Sequence, residues 1–377
     1  MLKRTGLLAA ASVLAITAGA LASPAMASAP GSRGDDHRAT QQAMDDAVRA
    51  GVPGVTARAT VNGRGWNGTS GRRGAHDHYR VGSVTKTFVA TVMLQLEAEG
   101  RLSLDDTVDH WLPGLVTGHD NDGREVTLRQ LLNHTSGIFS YTEDPAFQQA
   151  VFAKDGFLKN RYRTWTPTEL VRIGLGHQPY FKPGAGWHYS NTNYVLAGMV
   201  IEKATGSSYA HEIRSRIIAP LHLKATSVPG TRTSVPRPSS PAYAKLTADG
   251  SGDPVDVTRI NPSVAGASGE VISDSKDLGT FYSALLRGKL LPQRQLDEMK
   301  TTVVTDPEDP DAARYGLALM KERLPCGTTV WGHDGGIHGS SSLALSTEDG
   351  RHTLAFNFNG DWAGDESKVA LAEFCPK

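Results

Sequence analysis

Ser83 and Lys86 stand three residues apart in Gly82-Ser83-Val84-Thr85-Lys86-Thr87-Phe88, at the head of an apolar run over residues 88–96. On a helix, positions i and i+3 share a face, so the Lys86 amine would lie beside the Ser83 hydroxyl. Ser83 would also stand at the helix N-terminus, where free N–H groups and the dipole favour developing negative charge. An activated serine needs those two things: a neighbour to take its proton and a positive field for the oxyanion. Chance alone supplies about one Ser-x-x-Lys in a chain of this length. A second copy does occur, Ser273-Asp274-Ser275-Lys276, and reads as a helix cap with a solvated first turn.

Two later stretches could complete such a site. Tyr189, Ser190 and Asn191 lie in a polar loop just before a buried helix. A phenol near Lys86 can shuttle a proton, because Tyr and Lys pKa values are close and each tunes the other. His333-Asp334-Gly335-Gly336 ends one strand and leads into the next. Glycines there would let a substrate approach backbone donors closely, as an oxyanion hole requires. Taken singly, Tyr189 could be a loop aromatic, His333 a core histidine, and the glycines a hairpin turn.

The elements that must position these groups can be read from period and punctuation. Residues 41–49 have helical spacing, residues 55–61 alternate like a strand, and Asn62-Gly63 signals a hairpin with its return strand near Trp66. The Ser83 helix would stop at Gly100. From there the chain turns helical and loop-rich, with capping patterns at Ser103, Thr127 and Thr166. Further helices are expected over 193–204, 209–218 and 274–286, with a long surface connection over 234–262. Strands return at 315–319, 328–332, 340–346 and 352–358, before a closing helix at 365–374. Strands at both ends with helices between predict an α/β (α+β) fold: one sheet, residues 38–99 and 265–377, with a helical insert over 100–264.

Composition and address set the context. The chain has 377 residues, with 39 basic against 39 acidic, so bulk charge points to neither nucleic acid nor an anionic membrane. Lys3 and Arg4, an apolar stretch over 7–21 and Ala25-Met26-Ala27 form a secretory signal peptide, residues 1–29. A retained anchor is the alternative reading. Residues 30–37 are expected to be a disordered leader. The folded domain, 38–377, should belong to a secreted monomer without a membrane span. Cys326 and Cys375 are the two cysteines, and in an oxidising compartment they would form one disulfide pinning the last helix to the preceding strands. His76-Asp77-His78 could suggest a zinc hydrolase, but without a supporting cluster it reads as a solvated loop. No metal or cofactor is implied.

Ser-x-x-Lys, Tyr-x-Asn and His-x-Gly in this order resemble the serine β-lactamase and penicillin-binding-protein superfamily. The likeness is nearest to the secreted, soluble D-Ala-D-Ala carboxypeptidases and extends from about Thr40 to Cys375. It includes Asn133-His134-Thr135-Ser136-Gly137-Ile138 and the cysteine pair. The resemblance implies a five-stranded antiparallel sheet flanked by helices, with a helical subdomain closing the cleft. It implies Ser83 as the acylated nucleophile, Lys86 as its base, Tyr189 as the proton carrier to the leaving group, and Asn191 as a ligand of the substrate amide. His333 would line the cleft as a donor and a proton partner of Tyr189, next to Asp334, Gly335 and Gly336. The backbone N–H groups of Ser83 and Gly336 would form the oxyanion hole. The implied partners are peptidoglycan-stem peptides or other D-amino-acid peptides and esters, with β-lactams as acylating ligands.

This chain departs from the carboxypeptidase pattern where a substrate carboxylate would be held. Met320 stands at the expected Arg, and Asp334 and Gly336 stand at two expected threonines. An Asp334 carboxylate facing a substrate carboxylate at ~4 Å would repel it by roughly 1–4 kcal/mol. Lys321 and Arg323 could compensate, but strand alternation puts both opposite Met320. The leading expectation is D-alanyl-D-alanine carboxypeptidase-like hydrolysis through an acyl-enzyme. An esterase, a D-amino-acid amidase or aminopeptidase, or a β-lactamase is the alternative on the same scaffold. A penicillin- or peptidoglycan-binding module is the non-enzymatic alternative.

Overall fold

The computed structural model describes residues 37–247, 251–309 and 312–376. The expected signal peptide and leader residues 30–36 lie outside the described residues. His37, assigned to the leader, is ordered instead: its ring stacks on Trp66 at 4.8 Å and Nδ1 lies 2.9 Å from Glu373 Oε2.

Helix α1 (Arg38–Arg49) leads into β1 (Gly54–Val61) and β2 (Arg64–Gly71). Their hairpin turns at Asn62 and Gly63, φ 51° and 84°, the pair of positive angles that suits the strands' twist. The remaining sheet strands come from the end of the chain. They are β3 (Val303–Val304), β4 (Arg314–Tyr315), β5 (Met320–Arg323), β6 (Thr329–Ile337), β7 (Ser340–Thr347) and β8 (His352–Phe358). All pairings are antiparallel, in the order β2-β1-β8-β7-β6-β5-β4-β3. Val55 opposite Phe358 joins the two ends of the chain.

The sheet therefore has eight strands rather than the expected five. Five are seven to nine residues long, and three of two to four residues extend the β6 edge. Of the single strand expected at 315–319, Tyr315 ends β4 and residues 316–319 are instead a turn between β4 and β5. Gly316 N–H donates to Leu319 O, and Ala318 takes φ 57°, which no strand accommodates.

Alternation along the long strands builds two different faces. Leu343, Leu345, Leu354, Phe356 and Phe358 face α1 and the last helix, α7 (Glu366–Phe374), together with Met44, Val369 and Phe374. Cys326 and Cys375 form the expected disulfide, closing α7 onto the β5–β6 turn. The opposite face carries the small Ala344 and Ala355, which leaves room for α2 (Thr85–Ala98) and α6 (Ser275–Leu286). Phe88 and Phe281 stack there at 3.9 Å, worth about 0.5–1.5 kcal/mol beyond the area they bury. Helix α2 is buried almost all round, as a central helix must be, and Gly100 at φ +68° ends it.

Between α2 and α6 lies the helical part. Helices α3 (Leu128–Leu132) and α4 (Pro167–Leu175) open with the two expected capping boxes, Thr127/Gln130 and Thr166/Glu169. Helix α5 (Asn191–Thr205) packs on α2, α3 and α4 and ends at Gly206, φ +73°. The Ser103 pattern forms a turn, and the next helix is capped by Thr107. Residues 234–262 are more than a surface connection. Ala244, Leu246, Val257 and Ile260 bury against Phe157, forming a small core under one wall of the cleft described below.

Candidate active site

Gly82 turns the chain from the Tyr79–Arg80 strand into the 3₁₀ turn that carries Ser83. Its φ is +53°, and a Cβ there would meet Gly336 N and O at 2.8 Å. A Cβ on Gly335 would lie 2.0 Å from Val81 O and 2.9 Å from Ser83 N. Only paired glycines let β6 approach this turn so closely. The approach brings the backbone N–H groups of Ser83 and Gly336 to the same end of the cleft, as an oxyanion hole requires. Gly336 itself has open space where a side chain would be.

Residues 82–84 make one 3₁₀ turn before α2 begins, and Lys86 lies in the first turn of that helix. Its Nζ is fully buried, 3.0 Å from Ser83 Oγ, 2.7 Å from Asn191 Oδ1 and 2.8 Å from Ser268 O. Burial pushes the Lys86 pKa well below its ordinary value, opposed by the Asp334 carboxylate. A neutral amine has two N–H groups and one lone pair. The Asn191 and Ser268 oxygens can only accept, so they take both N–H groups. The lone pair is left for the Ser83 hydroxyl, which is the geometry of a general base.

Tyr189 precedes α5 and flanks this pair. Lys86 Nζ lies 4.7 Å from the Tyr189 ring centre. Burial, reinforced by Asp334, raises the Tyr189 pKa well above its ordinary value, although the nearby Ser83 hydroxyl favours the ionised form. Tyr189 thus holds its proton and suits a donor to a departing group. Its Oη is buried and makes no hydrogen bond of good geometry, so it is free for a substrate. Asn191 is committed on both sides, accepting from Lys86 and donating to Thr142 Oγ1 at 3.0 Å, so it orients Lys86 while lining the cleft.

His333 lies behind the cleft rather than on its wall. The ring is fully buried, and its Nδ1 meets the Asp334 carbonyl at 2.6 Å, so Nδ1 carries the hydrogen. Nε2 lies 2.8 Å from Tyr315 Oη. Its ring centre is 6.4 Å from that of Tyr189, but neither nitrogen bonds to the phenol. The imidazole nearest Tyr189 is that of His134, 4.3 Å away. Burial, and then the charges of Lys86 and His333, depress the His134 pKa well below its ordinary value. Its Nδ1 accepts from Ser190 N–H at 3.1 Å, which fixes the start of α5 and with it Tyr189 and Asn191. Sequence reading placed His134 in a matching stretch without assigning it this role.

Beyond the oxyanion donors the cleft is acidic. Asp334 lines it with its side chain 18% exposed, and Asp334 Oδ1 has no hydrogen-bond partner. Met320 and Glu322 share a small cavity with Asp334, as alternation predicts. Lys321 lies on the other face, 5.2 Å from the Trp331 ring, and Arg323 is exposed. Burial and the Asp334 charge push the Glu322 carboxyl up to about 7 and that of Glu366, at the start of α7, up to about 8. Nothing in the sequence around Glu366 signalled a place at the cleft.

The other end of the cleft, about 460 Å³ in all, is apolar, with Phe147, Val151, Phe152, Val264 and Ile337 on its walls. Lys245, Leu246 and Thr247 of the 234–262 segment complete it.

The other candidates separate cleanly. Ser273 bonds with Thr226 inside the protein while Lys276 is exposed, and Asp274 caps α6 with its side chain buried. Asp77 accepts from Gly74 N and Ser240 and lies 3.5 Å from Arg73, so it staples a loop.

A family model described as Beta-lactamase matches residues 37–371. The chain is similar to penicillin-binding protein 4* of Bacillus subtilis (strain 168), 31% identical over 288 residues, covering 74% of this chain and 60% of that protein. It thus spans about 60% of that curated relative's length. Among solved structures it is similar to a D-stereospecific amidohydrolase from Streptomyces sp., at 62% identity and a TM-score of 0.89, covering 91% of this chain and 99% of the other. It is also similar to the D-amino acid amidase from Ochrobactrum anthropi SV3, at 30% identity and a TM-score of 0.74, covering 89% and 97%.

Proposed function

The chain belongs to the β-lactamase family, and on that premise we propose that it is a secreted serine hydrolase of D-amino-acid amides, peptides or esters that lack a free carboxylate on the leaving group. Neutral Lys86 takes the Ser83 proton as Oγ attacks the carbonyl carbon. The carbonyl oxygen gathers charge against the N–H groups of Ser83 and Gly336. Tyr189 hands its proton to the leaving nitrogen or oxygen as the C–N or C–O bond breaks, and Lys86 returns the proton it took. Water then attacks the acyl-Ser83 ester by the same relay.

The observation that carries the substrate class is the chemistry of the wall where a carboxylate would sit. Glu322, Asp334 and Glu366 place three acids there beside Met320, while Lys245 lines the cleft next to Leu246 and Thr247. D-Ala-D-Ala carboxypeptidase activity, the leading expectation from sequence, gives way to the amidase and esterase alternative. The 62% identity to a protein described as a D-stereospecific amidohydrolase supports the same choice. Export through residues 1–29 and action as a monomer belong to this proposal, as does acylation of Ser83 by β-lactams.

The test is release of ammonia from D-phenylalanine amide beside release of D-alanine from a peptide ending in D-Ala-D-Ala, on wild type and Ser83→Ala. Amide hydrolysis by wild type alone is expected. Residual activity of Ser83→Ala within tenfold of wild type would sink the mechanism, and preferential release of D-alanine would sink the substrate class.

A further inference from the structure

Ser341 on β7 pairs directly opposite Gly336, whose N–H is one of the two oxyanion donors. Adjacent strands are about 4.8 Å apart, so a group at Ser341 is within reach of a substituent one or two bonds from the reacting carbonyl. The Ser341 hydroxyl touches the Glu366 carboxyl, which also feels the Asp334 charge. Glu366 as a residue is partly exposed, but its Oε1 is buried and has no hydrogen-bond partner. Asp334 Oδ1 is likewise buried and without a hydrogen bond; His333 Nδ1 lies 3.3 Å from it, but bonds to the Asp334 carbonyl instead. Two carboxyls therefore converge on one stretch of cleft wall, each with an acceptor unused. Among the described residues neither is paired with Lys or Arg.

Burying unpaired acceptors is costly, so this wall is built for a donor that arrives with the ligand. Among the described residues no three His, Cys, Asp or Glu side chains are arranged to hold a metal ion. A donor with several N–H groups and a positive charge satisfies both carboxyls at once.

Resting on the reading of Ser83 as the nucleophile, we propose that Asp334 and Glu366 form the subsite for an ammonium group of the substrate. Two sources share that chemistry: the α-ammonium of a free D-aminoacyl group and an amine carried by the leaving group. The Glu366 carboxyl, pushed up to about 8 by burial and the Asp334 charge, becomes fully ionised when the cation binds beside it.

Binding to the Ser83→Ala protein, measured calorimetrically, tests this without turnover. The probes are D-phenylalanine amide, N-acetyl-D-phenylalanine amide and N-acetyl-D-phenylalanine 2-aminoethylamide. One of the two cationic probes should bind at least about tenfold tighter than the neutral one. A preference for the first assigns the α-ammonium, and for the third the leaving amine. Adding Asp334→Asn or Glu366→Gln, both isosteric, should cut that preference about fivefold or more. Equal binding of all three, no binding of any, or a preference that survives both substitutions would overturn the subsite. Turnover of the same probes by the protein with Ser83 intact reads the nucleophile separately, so either reading can fail alone.

Discussion

Replacing Asp334 by Thr should make the enzyme tolerate a substrate carboxylate that it otherwise repels. A peptide ending in D-Ala-D-Ala would bring its terminal carboxylate to the wall that holds Asp334. At a separation of about 4–6 Å and an effective dielectric of about 20–40, two such charges repel by about 1.4–4 kcal/mol. The Asp334 side chain keeps 18% of its exposure, so solvent screens part of that, and the lower half of the range applies. Glu322 and Glu366 remain and keep some repulsion. The net relief is about 1–2 kcal/mol, or roughly five- to thirtyfold. The assay is kcat/KM for the peptide with a free C-terminus, divided by the value for its C-terminal amide. Asp334 also raises the pKa of Lys86 and Tyr189, so its removal alters the chemistry. That change acts on both peptides alike and cancels in the ratio. Adding Met320→Arg supplies an attracting charge on the same face and should raise the ratio further. A ratio that stays within twofold of wild type in both variants would refute the electrostatic account of specificity.

Three other outcomes follow from local geometry. Gly335→Ala would press a methyl group into Val81 O and should cost roughly 3 kcal/mol or more in urea unfolding and about 10²-fold in kcat, whereas Gly336→Ala meets open space and should fold with near-wild-type stability. His338 donates Nε2–H to Val151 O at 2.8 Å, its Nδ1 is buried without a partner, and its pKa is lowered by burial to about 4. The unfolded chain binds that proton first, so the stability present above pH ~6.5 falls by about 3 kcal/mol as pH drops to about 4, and His338→Gln should remove that part of the slope. The disulfide closes a loop with a sequence separation of 49, so Cys375→Ser should cost about 2–4 kcal/mol by thermal or denaturant unfolding.

The groups proposed as catalytic were legible because each depends on short-range order. Ser83 and Lys86 meet by helical spacing, Tyr189 and Asn191 sit at a helix start, and Gly335 and Gly336 end a strand. Local rules also yielded the β1–β2 hairpin, both capping boxes and the joining of the chain's two ends in one sheet. They failed where hydrogen bonds from elsewhere decide the outcome. Residues 315–319 carry a strand-like pattern, yet Ala318 N–H donates to Leu132 O and Leu317 N–H to Met299 O, so the segment turns. The short strands at the β6 edge are too brief to show alternation, and the count of five strands came from the family resemblance rather than from the pattern.

Specificity was legible only in part, for the same physical reason. Asp334 stood out because it interrupts a motif whose neighbours fix its place beside the nucleophile. Glu366 opens the last helix, and the sequence around it asks only for a helix start. It reaches the cleft because β7 pairs with β6, which brings Ser341 opposite Gly336, and because the Cys326–Cys375 bridge holds α7 against the same sheet. Neither condition is local. The groups proposed to make and break bonds are thus set by one turn of helix and one strand end, while those proposed to choose the substrate come from segments that meet only in the folded sheet. An acidic side chain can therefore be gained or lost on the cleft wall without disturbing Ser83 and Lys86, which allows one catalytic apparatus to serve carboxylate-bearing and cationic substrates in different chains.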